Sequence, residues 1–419
     1  MGPSDHGELI RPPVMGWGLS GHQDPDLACQ HVIEQVRPQI GPSAASFAFV
    51  FLSGELQRHA GLIAPRLCEA LATDAIVGCG SRGVVGGRST LVERTGLALL
   101  AGTMPEVSAR AFAFGADDLP PEADVMDRVV GGQIGVASHR ATFVLADPST
   151  LPVRRPIESI ARATSGPVMG ALTDTARDRP AILVAGPRVR AGGLVGLAIG
   201  GPIRVDVVMA QGARPVGTPL VVTKAHRNLI RQLGGRPAIE VLREVAHTFK
   251  PRDRNLLGPG LFLGVAIDEY RDRFGRGDFA ISRIVGGDEP TGSIAIDSEI
   301  RAGRTVQVHL LDPESARSDM SLLLDAQKLH ERPIGALLLA DGARGPALFG
   351  DEWSDAIGVA RAFDHDQSGT DAAKMGYEIA QQAGRVPLAG CFGSAEIGPG
   401  PGGVKAHGLA ACLALFREG

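Results

Sequence analysis

The sequence predicts an α/β protein of mixed α+β character: two fused, pseudo-repeated modules with largely antiparallel or mixed sheets and flanking helices. Three observations carry that expectation. Residues 386–416 read as a buried strand ending in Gly390-Cys391, a polar knot around Glu396, the turn Gly398-Pro-Gly-Pro-Gly-Gly403, and a second apolar strand opened by His407-Gly408. Residues 75–101 echo it, with an apolar strand into Gly78-Cys79, a short polar knot, a glycine turn, and the strand 96–101. Each copy follows an apolar strand (46–52 or 335–341) and a helical segment, the pattern of an internal repeat. The third observation is the run of consecutive strands between 180 and 311, which favours a partly antiparallel sheet over a doubly wound one.

Composition bounds the chain. Its 419 residues suggest two or three domains. The 56 glycines, with only 4% aromatics, point to a core of Ala, Val, Leu and Ile packed on closely approaching backbone. Basic and acidic residues (42 and 46) are interspersed, which argues against nucleic-acid or membrane-surface partners. The five cysteines are isolated, as expected of reduced thiols in a cytoplasmic protein. The N-terminus lacks a signal-peptide pattern, and no apolar run approaches the roughly 18–20 residues of a membrane span.

In chain order, residues 1 to about 20 read as a loose leader, so 1–40 comprise leader and first helix. Asp24-Pro25 caps that helix, and Leu27, Ala28, Val32, Val36 and Ile40 follow at helical spacing. A strand at 46–52 and a helix at 55–71 lead into the first glycine-turn unit and then the strands 97–100 and 108–114. The acidic, proline-bearing stretch 115–127 reads as a surface loop. Strands at 141–145 and 181–185 flank a short helix at 157–163. Strands at 192–201, 203–210, 220–223 and 229–233 come next. Pro237 starts a helix whose stripe is Ala238, Val241, Leu242, Val245 and Phe249. Strands follow at 261–267, 279–285, 293–297 and 305–311. Asp312-Pro313 caps a helix to about 329, and the second unit carries a helix at 371–383.

Several chemistries stay open. Gly78-Cys-Gly-Ser-Arg-Gly83 fits G-x-G-x-x-G, but the glycine-broken Val84-Val-Gly-Gly that follows would not start the helix a dinucleotide needs, so a tight hairpin is expected. No P-loop, HExxH or G-x-S-x-G is present. Cys391, Glu396 and His407 form a possible nucleophile, acid and base. Asp364-His365-Asp366 could touch a metal, though a solvated loop is the simpler reading, and no metal or cofactor is expected. Two strand-end loops with exposed amides, near Arg82, Arg344 and Glu396, suit a small zwitterion: arginine would pair a carboxylate and Glu396 an ammonium. The same charges could instead close the interface between the repeats, leaving a structural or interaction module.

Together these blocks resemble the FIST family. The resemblance rests on residues 75–87, Gln211-Gly-Ala-Arg-Pro-Val-Gly217, Val222-Thr-Lys224 with Gly235-Arg-Pro-Ala-Ile-Glu240, Gly277-Asp-Phe279, and Ala395-Glu-Ile-Gly-Pro399 with His407-Gly408. It implies an N-terminal domain at 41–220 and a C-terminal domain at 221–419. It also implies a sensory role in signal transduction, a small-molecule ligand such as an amino acid, and a signalling protein partner. No enzymatic activity is implied, and the chain is expected to carry no output domain of its own. From the paired units and the charges they carry, the ligand site is expected where the two Gly-Cys turns face each other, gathering Gly78, Cys79, Ser81, Arg82, Arg344, Gly345, Cys391, Ser394, Glu396 and His407. Two departures stand out: Asp341-Gly-Ala-Arg-Gly345 lacks the family's Cys-Asn, and Ala395 replaces the glycine before the last motif's glutamate.

Overall fold

The computed structural model describes residues 12–174, 179–257, 261–271, 273–275, 278–350, 354–364, 385–400 and 403–419. An apolar strand buried on both faces needs a layer on each side, and this chain supplies helices outside and facing sheets inside. It does so three times.

The first unit comprises β1 (Val14–Ser20), α1 (Pro25–Ile40), β2 (Phe47–Ser53), α2 (Ala60–Leu71), β3 (Ile76–Ser81), the hairpin β4 (Gly83–Gly86) and β5 (Ser89–Val92), and β6 (Gly96–Thr103). Its strands lie in the order β1-β6-β2-β3, with β2 and β3 parallel and the other pairings antiparallel. The second unit repeats this with β7 (Ser108–Phe114), α3 (Ala123–Ile134), β8 (His139–Ala146), α4 (Arg154–Ala163), β9 (Val168–Thr173), the hairpin β10 (Ile182–Ala185) and β11 (Arg188–Ala191), and β12 (Leu194–Gly200). Its order is β7-β12-β8-β9, again with one parallel pair.

The third unit opens with β13 (Ile203–Gln211) and is then interrupted by an inserted domain. That domain contains β14 (Ala213–His226), β15 (Leu229–Leu233), β16 (Arg236–Pro237), α5 (Ala238–His247), the short α6 (Pro251–Arg254), β17 (Phe262–Ala266), β18 (Phe279–Asp288), β19 (Ser293–Ile296) and β20 (Thr305–Leu311). The unit resumes with α7 (Pro313–Gln327), β21 (Gly335–Asp341), the short α8 (Pro346–Phe349), α9 (Asp355–Phe363), β22 (Leu388–Gly400), β23 (Gly403–His407) and β24 (Ala410–Glu418). Its order, β13-β24-β21-β22, matches the other two.

The units lock cyclically through their hairpins. β4 of the first pairs with β22 of the third, β10 of the second with β3 of the first, and the far half of β22 with β9 of the second. Three sheets therefore face one another around a central core containing Phe49, Cys79, Phe143, Ala171, Cys391 and Phe416. Phe49 meets Phe143 edge-on at 4.8 Å, and Phe143 stacks on Phe416 at 5.7 Å. Each outer face is covered by its own helix pair: α1 and α2, α3 and α4, or α7 and α9.

One glycine per unit allows the parallel pair to form as it does. A Cβ on Gly78, Gly170 or Gly390 would lie 1.8, 1.7 or 1.7 Å from the carbonyl oxygen of Val50, Val144 or Leu338, the residue beside it in register. Only glycine fits such an approach.

The inserted domain has its own core, with Val222, Leu242, Leu263 and Val306 among its members. It rests on the third unit through Phe262, Phe279, Ile281, Leu311 and Leu409. β14 runs unbroken through residues 220 and 221.

Some elements differ from expectation. Val14–Ser20 is a strand rather than loose leader, because pairing with β6 buries Met15 and Trp17 in the central core. Residues 123–127 begin a helix, α3, which buries Met126, Val130 and Ile134. β9, absent from the sequence reading, is fully buried. β12 and β13 are consecutive but do not pair with each other, each going to a different neighbour. The helix expected at 371–383, with His365 and Asp366, lies outside the described residues. Asp364 itself is held by Arg88 at 2.9 Å and by the Val386 amide at 2.9 Å. Among the described residues no helix is long and apolar enough to cross a membrane.

Candidate functional site

Each parallel pair ends on the same polar rim, where loops diverge and ligands gather in open α/β sheets. β2, β8 and β21 lead to Ser53, Asp147 and Asp341. β3, β9 and β22 lead to Ser81-Arg82, Thr173-Asp174 and Gly393-Ser394. The rim is stitched across units: Arg82 Nε lies 3.0 Å from Asp174, and the Ser394 hydroxyl donates to the Thr173 carbonyl at 3.1 Å.

Asp341 is fully buried and densely bonded. It accepts the Ala343 and Leu409 amides at 2.8 and 2.9 Å, and both its oxygens take the guanidinium of Arg283. Arg283 comes from β18, so this ion pair ties the inserted domain to the third unit.

Beside it sits Glu396, 0% exposed, with neither carboxylate oxygen in a hydrogen bond among the described residues. The strand registers show how unusual this is. The residue after each close-approach glycine is Cys79, Ala171 or Cys391, and its partner on the incoming hairpin is Leu183, Glu396 or Val84. A position filled twice by an aliphatic side chain is filled the third time by an acid.

Burial is the main force on that carboxyl. Repulsion from Asp341 adds to it, and the two outweigh Arg344 and Arg283, holding Glu396 well above the usual glutamate range. The Ala410 amide draws it down slightly without reaching hydrogen-bond geometry. The protonated form of Glu396 is therefore favoured relative to that of a free glutamate. Across the β22–β23 pairing lies His407, whose Nε2 is also buried without a partner and whose pKa burial lowers, leaving a neutral ring. Asp174 is raised by burial, with Arg82 opposing and Asp341 adding to the rise.

The sequence-derived residues divide into three groups. Arg82, Ser394, Glu396 and His407 lie at the rim. Gly345 caps the start of α8, and Arg344 before it is 1% exposed and fully engaged. Its Nε and one terminal nitrogen each donate to Asp355 at 2.8 Å, the other nitrogen reaches the Leu409 carbonyl at 3.4 Å, and its face covers Phe349. It clamps the start of α9 rather than facing open space. Gly78, Cys79, Ser81 and Cys391 are buried among the meeting strands. The Ser81 hydroxyl sits 2.7 Å from both the Gly83 and Phe392 carbonyls and accepts the Phe392 amide at 3.3 Å.

The two Gly-Cys segments thus meet, as packed backbone. Burial and then Cys79 push the Cys391 thiol well above its ordinary value, leaving no thiolate for a nucleophilic role at neutral pH. Among the described residues no three His, Cys, Asp or Glu side chains converge as a metal site.

Sequence reasoning missed Arg283, Asp174 and the central role of Asp341. Asp341 was open to discovery, since it ends a fully buried strand where an acid needs a partner.

Comparison with known proteins now places the chain. Residues 46–236 match the FIST N domain and residues 238–399 the FIST C domain. The protein belongs to the FIST family. FIST domains are associated with sensory and signal-transduction roles and are thought to bind small ligands. The chain is 30% identical over 408 residues to the uncharacterized protein Mb0898c of Mycobacterium bovis, covering 96% of this chain and 99% of the relative. It is equally similar, at 30%, to the uncharacterized protein Rv0628c of Mycobacterium tuberculosis, with 96% and 100% covered. The two FIST segments meet at the start of α5, inside the inserted domain, so the FIST N segment holds the second unit and most of the first.

Proposed function

We propose that this FIST protein is a cytoplasmic sensor that binds a small zwitterion, an amino acid being the simplest case, at the rim around Glu396. A protein partner would receive the signal. The three like units are read as copies of one ancestral segment, of which the third has acquired the acid. The observation that carries the proposal is Glu396 itself, a fully buried carboxyl with no partner where the other units place Val84 and Leu183. A buried polar group of this kind is normally satisfied. A ligand ammonium would satisfy it once the carboxyl yields its proton. The cationic partners at hand for the ligand's carboxylate are Arg82 and Arg283, whose side chains stay partly exposed in their pairs with Asp174 and Asp341, whereas Arg344 is buried in its pair with Asp355.

A thermal-shift screen of the amino acids and their amides tests this. Ligand at about 100-fold over Kd adds ~2.7 kcal/mol of stability, enough to move Tm by degrees. We expect at least one amino acid to raise Tm, its amide to do so less, and Glu396→Gln to abolish the response. Silence across the screen, or an equal response in Glu396→Gln, would refute the proposal.

A further inference from the structure

A cavity lies at the seam between the second unit's edge strand β7 and its hairpin strand β11, sharing no residue with the rim around Glu396. It measures about 250 Å3 and is lined by Ala111, Phe112 and Ala113 of β7 and by Arg188, Val189 and Arg190 of β11, with Gln133 at one side. Its origin is visible in the register. Phe51, Leu145 and Leu339, each one residue past the carbonyl that faces the close-approach glycine, pair with Ala98, Val195 and Cys412. Those pair in turn with Leu19, Ala113 and Met209 on the first strand of each unit. Two residues earlier on the same face stand Trp17, Ala111 and Val207.

In the first unit the large side chains fill the seam against that unit's hairpin. Leu19 lies 2.6 Å from where a Cβ on Gly86 would stand, and Trp17 lies 2.4 Å from that of Gly87. In the third unit the Met209 sulfur lies 2.6 Å from the Cβ position of Gly398. In the second unit both positions are alanine, and the space stays empty.

The cationic side of the cavity is also uncommitted. Arg188 is exposed and makes no hydrogen bond or ion pair among the described residues. Arg190, which lines the cavity, spends its Nε on the Gly192 carbonyl at 3.0 Å and reaches Asp118 only at 4.0 Å. An apolar floor under two guanidinium groups selects an anion with an apolar body, because the floor rewards hydrocarbon and the arginines reward carboxylate. The volume falls below the roughly 300–1,000 Å3 of drug-sized pockets, so the ligand is compact.

We infer that this seam is a second binding site, for a small monocarboxylate with an apolar body, of which benzoate is a suitable probe. Titration calorimetry on the full chain tests it, with benzoate, with benzamide as the uncharged counterpart, and with two variants. Benzoate is expected to bind at millimolar concentration or below, and benzamide at least about tenfold more weakly, since a charge-assisted hydrogen bond is lost. Arg188→Gln, on the surface, is expected to weaken benzoate by about tenfold or more. Ala113→Met places the third unit's residue in the second and is expected to abolish binding while Tm holds. No benzoate binding in the native chain, or unchanged affinity in Arg188→Gln, overturns the inference. Should Ala113→Met lower Tm, the Arg188→Gln result alone decides.

Discussion

A carboxyl buried without a hydrogen-bond partner is costly when ionised, and burial shifts Glu396 toward its protonated form. The sign of the consequence follows from linkage. Folding raises this pKa, so the folded chain keeps a proton that the unfolded chain releases above pH 4.5, the ordinary glutamate value. The stability associated with that proton is present below the unfolded pKa and is lost as pH rises. Glu396→Gln removes the proton from both states. We expect the variant to melt with the native chain near pH 4 and above it at pH 8, the gap widening by at most ~1.4 kcal/mol per pH unit. A gap that does not change with pH would show Glu396 ionised and paired. Glu396 and His407 were legible in the sequence because a glycine–proline turn isolates them between apolar strands. Arg344 looked equally free, yet its partner Asp355 lies eleven residues on beyond further turns, and nothing local announces that bond. Arg283, Asp174 and Asp341 come from three distant stretches, so their meeting had no local signature.

At the scale of elements, the same close approach recurs under unequal sequence signals. Gly78 and Gly390 stood out because each precedes a cysteine and a glycine turn. Gly170 sits in Met169-Gly-Ala-Leu172, with nothing to mark a strand end, and β9 was missed with it. α3 was missed because its start falls in the acidic, proline-bearing stretch 115–127, which reads as a surface loop. The geometry predicts how these glycines behave when changed. Gly170→Ala drives a methyl into the Val144 carbonyl, as Gly78→Ala does at Val50, so both should cost at least the ~1–3 kcal/mol of an overpacked core. Gly132 has nothing within 4 Å of its Cβ position, so Gly132→Ala should be neutral or stabilise α3 by up to ~1 kcal/mol. Urea midpoints compare the three. If Gly170→Ala unfolds no earlier than Gly132→Ala, the parallel pair of the second unit does not approach as described.

At the scale of the molecule, the pairing that closes three sheets into a ring joins residues more than three hundred positions apart, such as Ser81 and Phe392. Local periodicity shows strands and says nothing of such partners, so the sequence showed like strand patterns at the two ends of the chain and nothing of a ring. The inserted domain makes the architecture testable. It leaves and re-enters side by side: Ala213 pairs with Leu311, and the Asp312 amide donates to the Gly212 carbonyl at 3.1 Å. Excising 213–311 and joining Gly212 to Asp312 should preserve the three units, which keep their own cores, while uncovering Leu409 and releasing Asp341 from Arg283. We expect cooperative melting at a lower Tm, with loss of the amino-acid response and retention of the benzoate response. An intact amino-acid response would remove Arg283 from the site. A lost benzoate response in a folded chain would show that the seam depends on an element it does not touch, and a failure to melt cooperatively would show that the three-sheet ring cannot stand without its insert.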